Sequence, residues 1–369
     1  MRAQRLSRLL ALLPSTRMGG TERHTAELCA RIAARTGMAV DLAAEPALHE
    51  ALSRLLPGGV ALHEAALGDR ARQDAETRRL LATLRPDAAY AALPWPDAAD
   101  GILPALAGLP RTVLLHLAPE APAPETPPAL ALDGAVVAAV SAPVARRAER
   151  AWGLASGSAV VLPNPAPRPR PHDRGIARAT LRGGLGLAPD QPLLLFVGRL
   201  EEAKGADMLP DICDRLPLTI AIGGDGPMRA ELDAVAAGDP QGLIRMLGPL
   251  ADPSPWFRAA DLLLMPSRLE GAPLVFLEAA AYRLPVVATT AALEALGEDA
   301  PRLARIAAAD TASGMAEAIR AALDDPDGTA ARVEEAAAFA ARQDWDRTAA
   351  QALGLLRAAM LADGGAAAA

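Results

Sequence analysis

The chain has 369 residues, 51% hydrophobic and 22% charged, with a formal net charge of -7. That length exceeds one ordinary domain and that apolar content can fill sizeable cores, which argues against disorder and for two domains. The charge is uneven, +1 over residues 1–165 and -8 over the remainder, and an acidic chain with 3% aromatics is a poor nucleic-acid binder.

Arg2, Arg5 and Arg8 precede the apolar run Leu9 to Leu13, which is too short for a secretory h-region and reads as a first strand. No stretch reaches the roughly 18 apolar residues needed to span a bilayer. Cys29 and Cys213 have neither disulfide-framework nor metal-ligand spacing. A cytoplasmic enzyme is therefore expected; the near-neutral N-terminal half leaves peripheral contact with the inner membrane face open. Apolar runs at residues 6–13, 39–44, 88–93, 113–117 and 136–140 alternate with helical patterns at 21–35, 70–84 and 143–152. Such alternation implies a parallel sheet with crossover helices.

Pro163 to Pro171 carries five prolines in nine residues, which excludes helix interior and favours an extended connection. The rhythm then restarts: strands are expected at 193–197, 218–222, 243–247, 261–265 and 286–288, with helices near 206–215, 227–237 and 273–283. The fold class is α/β with two doubly wound domains, 1–170 and 171–345. A final amphipathic helix, roughly Trp345 to Leu361, is expected to return to the first domain within a 346–369 segment that ends in a disordered Ala/Gly tail.

Two constellations carry chemistry. Gly198-Arg199-Leu200 and Lys204-Gly205 follow the apolar strand ending at Val197, at the carboxyl edge where open α/β sheets bind ligands. An Arg fork and a Lys point charge can converge on one anion, such as a diphosphate, without a metal. Lys204 is the only lysine in the chain, so an ammonium is specifically demanded there. The alternative is a solvated loop pair. In the second, Glu270 precedes a helix opened by Pro273, and Glu278 lies more than a turn inside it. Glu270 can accept bonds from sugar hydroxyls, while the N–H groups around Ala272, Leu274 and Val275 offer a seat for an anion. Solvated helix charges are the alternative.

These residues resemble the retaining GT-B glycosyltransferases of family 4, whose second domain carries a G-R-x-x-x-x-K diphosphate site and an E-x7-E motif. Here they stand as GRLEEAK (Gly198 to Lys204) and EGAPLVFLE (Glu270 to Glu278), with Gly223 to Pro227, Leu247 to Leu250, Pro285 to Thr289 and Gly19 to Arg23 also in register. The resemblance is stronger in the second domain than in the first. It implies a fold of two Rossmann-like domains facing a cleft, a nucleotide-diphosphate-sugar donor, and transfer of the sugar with retention to a glycan, lipid-linked or small-molecule acceptor. Neither metal nor resident cofactor is expected.

Carried over by position, Arg199 and Lys204 would bind the diphosphate and stabilise the leaving group, with Gly198 on the same loop. Glu270 would hold sugar hydroxyls, with Gly271 beside it, and Glu278 the ribose. Gly248 and Leu250 would face the base, Gly19 and Gly20 would let the backbone approach the donor, and His116 would contact the transferred sugar. His24 reads as structural, and His49, His63 and His172 have no motif around them. Asp87, Asp97, Asp100, Glu120 and Glu125 are acids of the first domain without an assignable role. Three positions depart from the family: Arg283 replaces a usual glycine, Thr290-Ala291-Ala292 replaces a Gly-Gly turn, and Asn164-Pro165 replaces Asn-Gly. Competing readings are a silent nucleotide-sugar or partner-binding protein and a nucleotide-sugar epimerase. A dehydrogenase is disfavoured because no G-x-G-x-x-G follows the first strand.

Overall fold

The computed structural model describes residues 6–56, 58–118, 132–169 and 174–366. The chain forms two compact units, Met1–Asn164 together with Trp345–Ala369, and Pro165–Asp344. The boundary falls within the proline-rich segment. Glu120, Glu125 and His172 lie outside the described residues.

In the N-terminal unit, β1 (Arg8–Leu13), β2 (Ala39–Ala44), β3 (Val60–Glu64), β4 (Ala88–Leu93), β5 (Arg111–Leu115), β6 (Ala135–Ala139) and β7 (Val160–Val161) form one parallel sheet in the order β3-β2-β1-β4-β5-β6-β7. The central strands are almost wholly buried Leu and Ala, as expected where helices cover both faces. The helix Gly20–Thr36 buries His24, Leu28 and Ile32 and ends at Gly37, whose φ of 67° suits a left-handed cap. The terminal helix Trp345–Ala366 packs on Gly20–Thr36 and on β4, β5 and β6, burying Ala349, Ala352, Leu353, Leu356 and Ala359. Its return to the first domain thus matches expectation, although it runs beyond Leu361; Ala367 to Ala369 lie outside the described residues.

In the C-terminal unit, β8 (Leu193–Val197), β9 (Thr219–Gly223), β10 (Ile244–Gly248), β11 (Leu262–Met265), β12 (Val286–Ala288) and β13 (Arg305–Ile306) are parallel in the order β10-β9-β8-β11-β12-β13. Successive β8 side chains enter opposite cores. Leu193 and Leu195 pack with Phe257, Leu263 and Phe276, while Leu194 and Phe196 pack with Ile220, Leu264 and Met315. In both sheets the winding reverses beside the first strand, between β1 and β4 and between β8 and β11. Such a switch point leaves an open crevice beyond the strand ends.

Several elements had no clear signal in the sequence: β3, β7, β13 and the helices Arg174–Gly184, Ala312–Asp324 and Pro326–Arg342. The three strands are short or lie at sheet edges, where half-exposed residues such as His63 and Glu64 blur the apolar run. Among the described residues no helix is long and apolar enough to cross a membrane.

Candidate functional site

Because every strand of the C-terminal sheet is parallel, the loops after β8, β9, β10, β11 and β12 leave from one edge. These loops interlock through their backbones. Gly198 N–H donates to Gly223 O at 3.0 Å, Gly224 N–H to Gly248 O at 2.8 Å, and Leu200 N–H to Asp225 O at 2.9 Å. Gly224 has φ +148°, and a Cβ there would lie 1.8 Å from Gly198 O. Only glycine permits that crossing. The Gly223 to Pro227 turn is thereby fastened to the Gly198 to Leu200 loop.

After Leu200 the chain makes a short 3-10 turn, Glu202–Lys204, which places Lys204 against the loop that follows β11. Lys204 Nζ lies 2.7 Å from Glu270 Oε1, with the two side chains 24% and 11% exposed. Ser267 Oγ donates to the same carboxylate oxygen at 2.9 Å. Gly205, at φ +69°, follows directly, and a Cβ there would meet Pro266 O at 2.1 Å. The cation and the carboxylate thus meet across the switch point between β8 and β11. Arg199 takes a different partner: Nη1 lies 3.5 Å from Glu201, with the guanidinium side chain 45% exposed. Each cation of the sequence motif therefore has its own acid, and charge-assisted pairs of this kind exchange readily with a stronger anion.

Glu270 is followed by buried Gly271 and half-buried Ala272, then by the helix Leu274–Ala281. Pro273 occupies its N-cap and makes no side-chain cap bond, and Leu274 and Val275 lie in the first turn. The helix dipole puts partial positive charge there, beside the Lys204–Glu270 pair. Glu278 lies on the same helix, half-buried. Gly248 is buried with φ +74°, and the Leu250 side chain occupies the space a Cβ on Gly223 would need.

Gly19, Gly20 and His116 belong to the N-terminal unit. Gly19 is the N-cap of the helix Gly20–Thr36, and His116 follows β5, its N–H donating to Leu93 O at 2.9 Å. The His116 ring meets His24 edge-on, with centroids 5.1 Å apart, and His24 lies 5.4 Å from Trp345 of the returning helix. Burial drives the His24 pKa down to about 4. Burial, then the neighbouring His24, pushes His116 well below the ordinary imidazole value. Both are neutral at pH 7. His116 Nε2 and both His24 nitrogens are buried without a hydrogen-bond partner among the described residues. His24 was expected to be structural; the structure adds that it is the ring backing His116, four residues into the helix after Gly20.

The described acids without an assigned role, Asp87, Asp97 and Asp100, are occupied structurally. Asp87 accepts from the Ser7 and Arg8 N–H groups at 2.8 Å each and from Ser7 Oγ at 2.6 Å. Asp97 and Asp100 both pair with Arg70. His63 bonds Asp41 at 2.7 Å, and His49 lies 3.6 Å from Glu64.

Two of the three departures from the family pattern have local explanations. Arg283 adopts φ +59°, the left-handed conformation that a glycine takes without strain, and its guanidinium pairs with Glu334. The Thr290 and Ala291 N–H groups donate to the Asp310 carboxylate at 2.8 and 3.3 Å, so an internal anion occupies the start of that turn. Among the described residues no three His, Cys, Asp or Glu side chains cluster as a metal site.

Residues 191–325 match the family described as Glycosyl transferases group 1. D-inositol 3-phosphate glycosyltransferase 1 of Catenulispora acidiphila is 32% identical over 208 residues, 52% of this chain and 49% of that protein. The chain spans about half the length of the curated relatives it matches. Two solved structures share the fold. One is the Anabaena protein HepE in complex with UDP, 22% identical over 95% of this chain and 99% of that one with a TM-score of 0.72. The other is a glycosyltransferase from Rickettsia africae, 15% identical over 95% and 98% with a TM-score of 0.77. The architecture of two Rossmann-like units is the GT-B fold.

Proposed function

With residues 191–325 matching the family described as Glycosyl transferases group 1, we propose that the chain is a retaining glycosyltransferase that moves a sugar from a nucleotide-diphosphate donor to a hydroxyl acceptor. The observation that carries this reading is the Lys204–Glu270 pair, 2.7 Å apart, at the switch-point edge of the C-terminal sheet. It sets a phosphate-seeking ammonium against a hydroxyl-seeking carboxylate, with the start of the helix Leu274–Ala281 alongside.

In this reading Arg199 and Lys204 exchange their acidic partners for the diphosphate oxygens. Glu270 holds hydroxyls of the transferred sugar and Glu278 those of the ribose, while Gly248 and Leu250 flank the base. The bond from the anomeric carbon to the β-phosphate oxygen breaks, the electron pair leaves with the diphosphate, and the acceptor oxygen bonds to the same carbon. The acceptor proton passes to the departing phosphate on the same face. The two cations stabilise charge where it develops and take the place of a metal. By resemblance alone, His116, whose Nε2 has no hydrogen-bond partner among the described residues, is assigned to the transferred sugar, and Gly19 and Gly20 to the donor.

A thermal-shift screen of nucleotide sugars tests this. UDP-sugars come first, because HepE, of the same fold, has been seen with UDP and with UDP-glucose. A donor at 100 times its dissociation constant should add about 2.7 kcal/mol of stability. Lys204→Ala and Arg199→Ala should each remove most of that gain. Undiminished shifts in both variants would overturn the assignment.

A further inference from the structure

A further ion pair lies beside the proposed donor residues. Arg268, on the loop after β11, forks onto Asp207 with Nη1 2.6 Å from Oδ1 and Nη2 2.6 Å from Oδ2. Its Nη1 also donates to Glu202 O at 2.5 Å. The Arg268 and Leu269 N–H groups donate to Ala203 O at 2.9 and 3.4 Å. Every one of these bonds lands on residues 202, 203 or 207, which bracket Lys204. From the other side, Ser267, the neighbour of Arg268, bonds Glu270, and its carbonyl is held by Thr289 Oγ1 at 2.6 Å.

Asp207 occupies the N-cap position of the helix Met208–Arg215 yet makes no side-chain cap bond there. An aspartate ordinarily serves that purpose; here the carboxylate turns outward to the guanidinium. The Arg268 hydrogen bonds hold Asp207 below the usual carboxylate range. Both side chains are partly exposed, 44% and 32%, so the pair contributes little to global stability. A bidentate fork fixes geometry as well as charge, and what it fixes here is the approach of one loop to the other.

We infer that Arg268 and Asp207 are positioning residues that latch the β11 loop onto the Glu202–Lys204 turn and so hold Lys204 and Glu270 in their paired geometry before donor arrives. The inference rests on the donor-site reading above. Without the latch, the two loops keep their folds, but the lysine and the glutamate must be ordered by the donor itself, at a cost in affinity.

The single lysine of the chain gives a readout that needs no donor. The full chain is labelled with an amine-reactive ester, and the rate at Lys204 is followed by peptide mass spectrometry, which separates it from the N-terminal amine. Arg268→Ala and Asp207→Ala should each accelerate labelling about threefold or more, the double variant should be no faster than either, and Arg268→Lys should fall between. Melting temperatures should stay within about 2 °C of the unaltered chain. Donor dissociation constants should rise about tenfold in both alanine variants. Unchanged labelling in both overturns the latch, as does accelerated labelling with unchanged affinity in a chain that binds donor. If the unaltered chain binds no nucleotide sugar while labelling accelerates as stated, the latch stands and the donor reading fails.

Discussion

Lys204 Nζ lies 2.7 Å from Glu270 Oε1, so the cation proposed to meet the diphosphate is already neutralised by the carboxylate proposed to meet the sugar. The two roles are therefore coupled. In the proposed site, a diphosphate arriving without its sugar would compete with Glu270 for Lys204, whereas a complete donor would satisfy both groups.

That coupling gives Glu270→Gln an unusual signature. The amide keeps the shape and can still accept a bond from Ser267, but it no longer holds the ammonium by charge. Affinity for the free nucleoside diphosphate should rise about threefold to tenfold, corresponding to roughly 1 kcal/mol for a partly exposed pair. Sugar transfer should fall by about a hundredfold or more as charge-assisted hydroxyl contacts are lost. Calorimetric titration with the diphosphate and initial rates with the complete donor measure the two effects. Weaker diphosphate binding by the variant would refute the coupling.

Lys204 is the only lysine in the sequence and is 24% exposed, which makes it accessible to reagent without donor. A bound diphosphate should bury the Lys204 side-chain nitrogen and keep it from attacking the reagent. Saturating nucleotide sugar should slow acylation at Lys204 about tenfold or more while leaving the N-terminal amine unaffected. Equal slowing at both amines, or none at Lys204 under conditions where donor binds, would show that the ligand sits elsewhere.

Much of the architecture was legible because central parallel strands are continuous apolar runs. Leu193 to Val197 and Ala88 to Leu93 coincide with β8 and β4 residue for residue. The edge strands β3, β7 and β13 were not, although the edge strand β10 was; β3, for one, leaves His63 and Glu64 partly exposed. Spacing and strand-end position drew attention to Lys204 and Glu270 separately, and the fold supplied what spacing could not, that the turn after β8 abuts the loop after β11. The Arg268–Asp207 fork and the His24–His116 contact had no local signal, because each joins residues whose proximity depends on strand order. The left-handed backbone of Arg283 was visible only as a missing glycine.

Arg283 stands just past the helix Leu274–Ala281 at φ +59°, and Leu284 N–H closes back on Ala279 O at 2.9 Å, as in a glycine-terminated helix. A non-glycine residue in that conformation costs about 1–2 kcal/mol, while its ion pair with Glu334 is between side chains 55% and 63% exposed and is worth at most about 1 kcal/mol. Strain outweighs the pair. Arg283→Gly should raise the melting temperature by about 2 °C, whereas Arg283→Ala, which keeps the strain and loses the pair, should lower it. Differential scanning calorimetry decides, and a lower value for the glycine variant would contradict the balance.

The buried His24 makes the N-terminal unit acid-sensitive in a defined window. Its imidazole, 1% exposed, is held neutral with a pKa pushed down to about 4, while in the unfolded chain it takes up a proton near pH 6.5. Between those values the unfolded chain binds more protons than the folded one, so stability falls as pH falls. Its contribution is complete above pH 6.5, declines by on the order of 3 kcal/mol toward pH 4, and is constant below. His116, shifted the same way by burial and by His24, deepens the fall. His24→Phe keeps a ring against His116 and Trp345 without a titrating nitrogen. Denaturant unfolding across pH 4 to 7 should show a shallower slope for this variant than for the unaltered chain. Parallel slopes would mean that the loss of stability arises from other groups and that the buried imidazole pair is not its source.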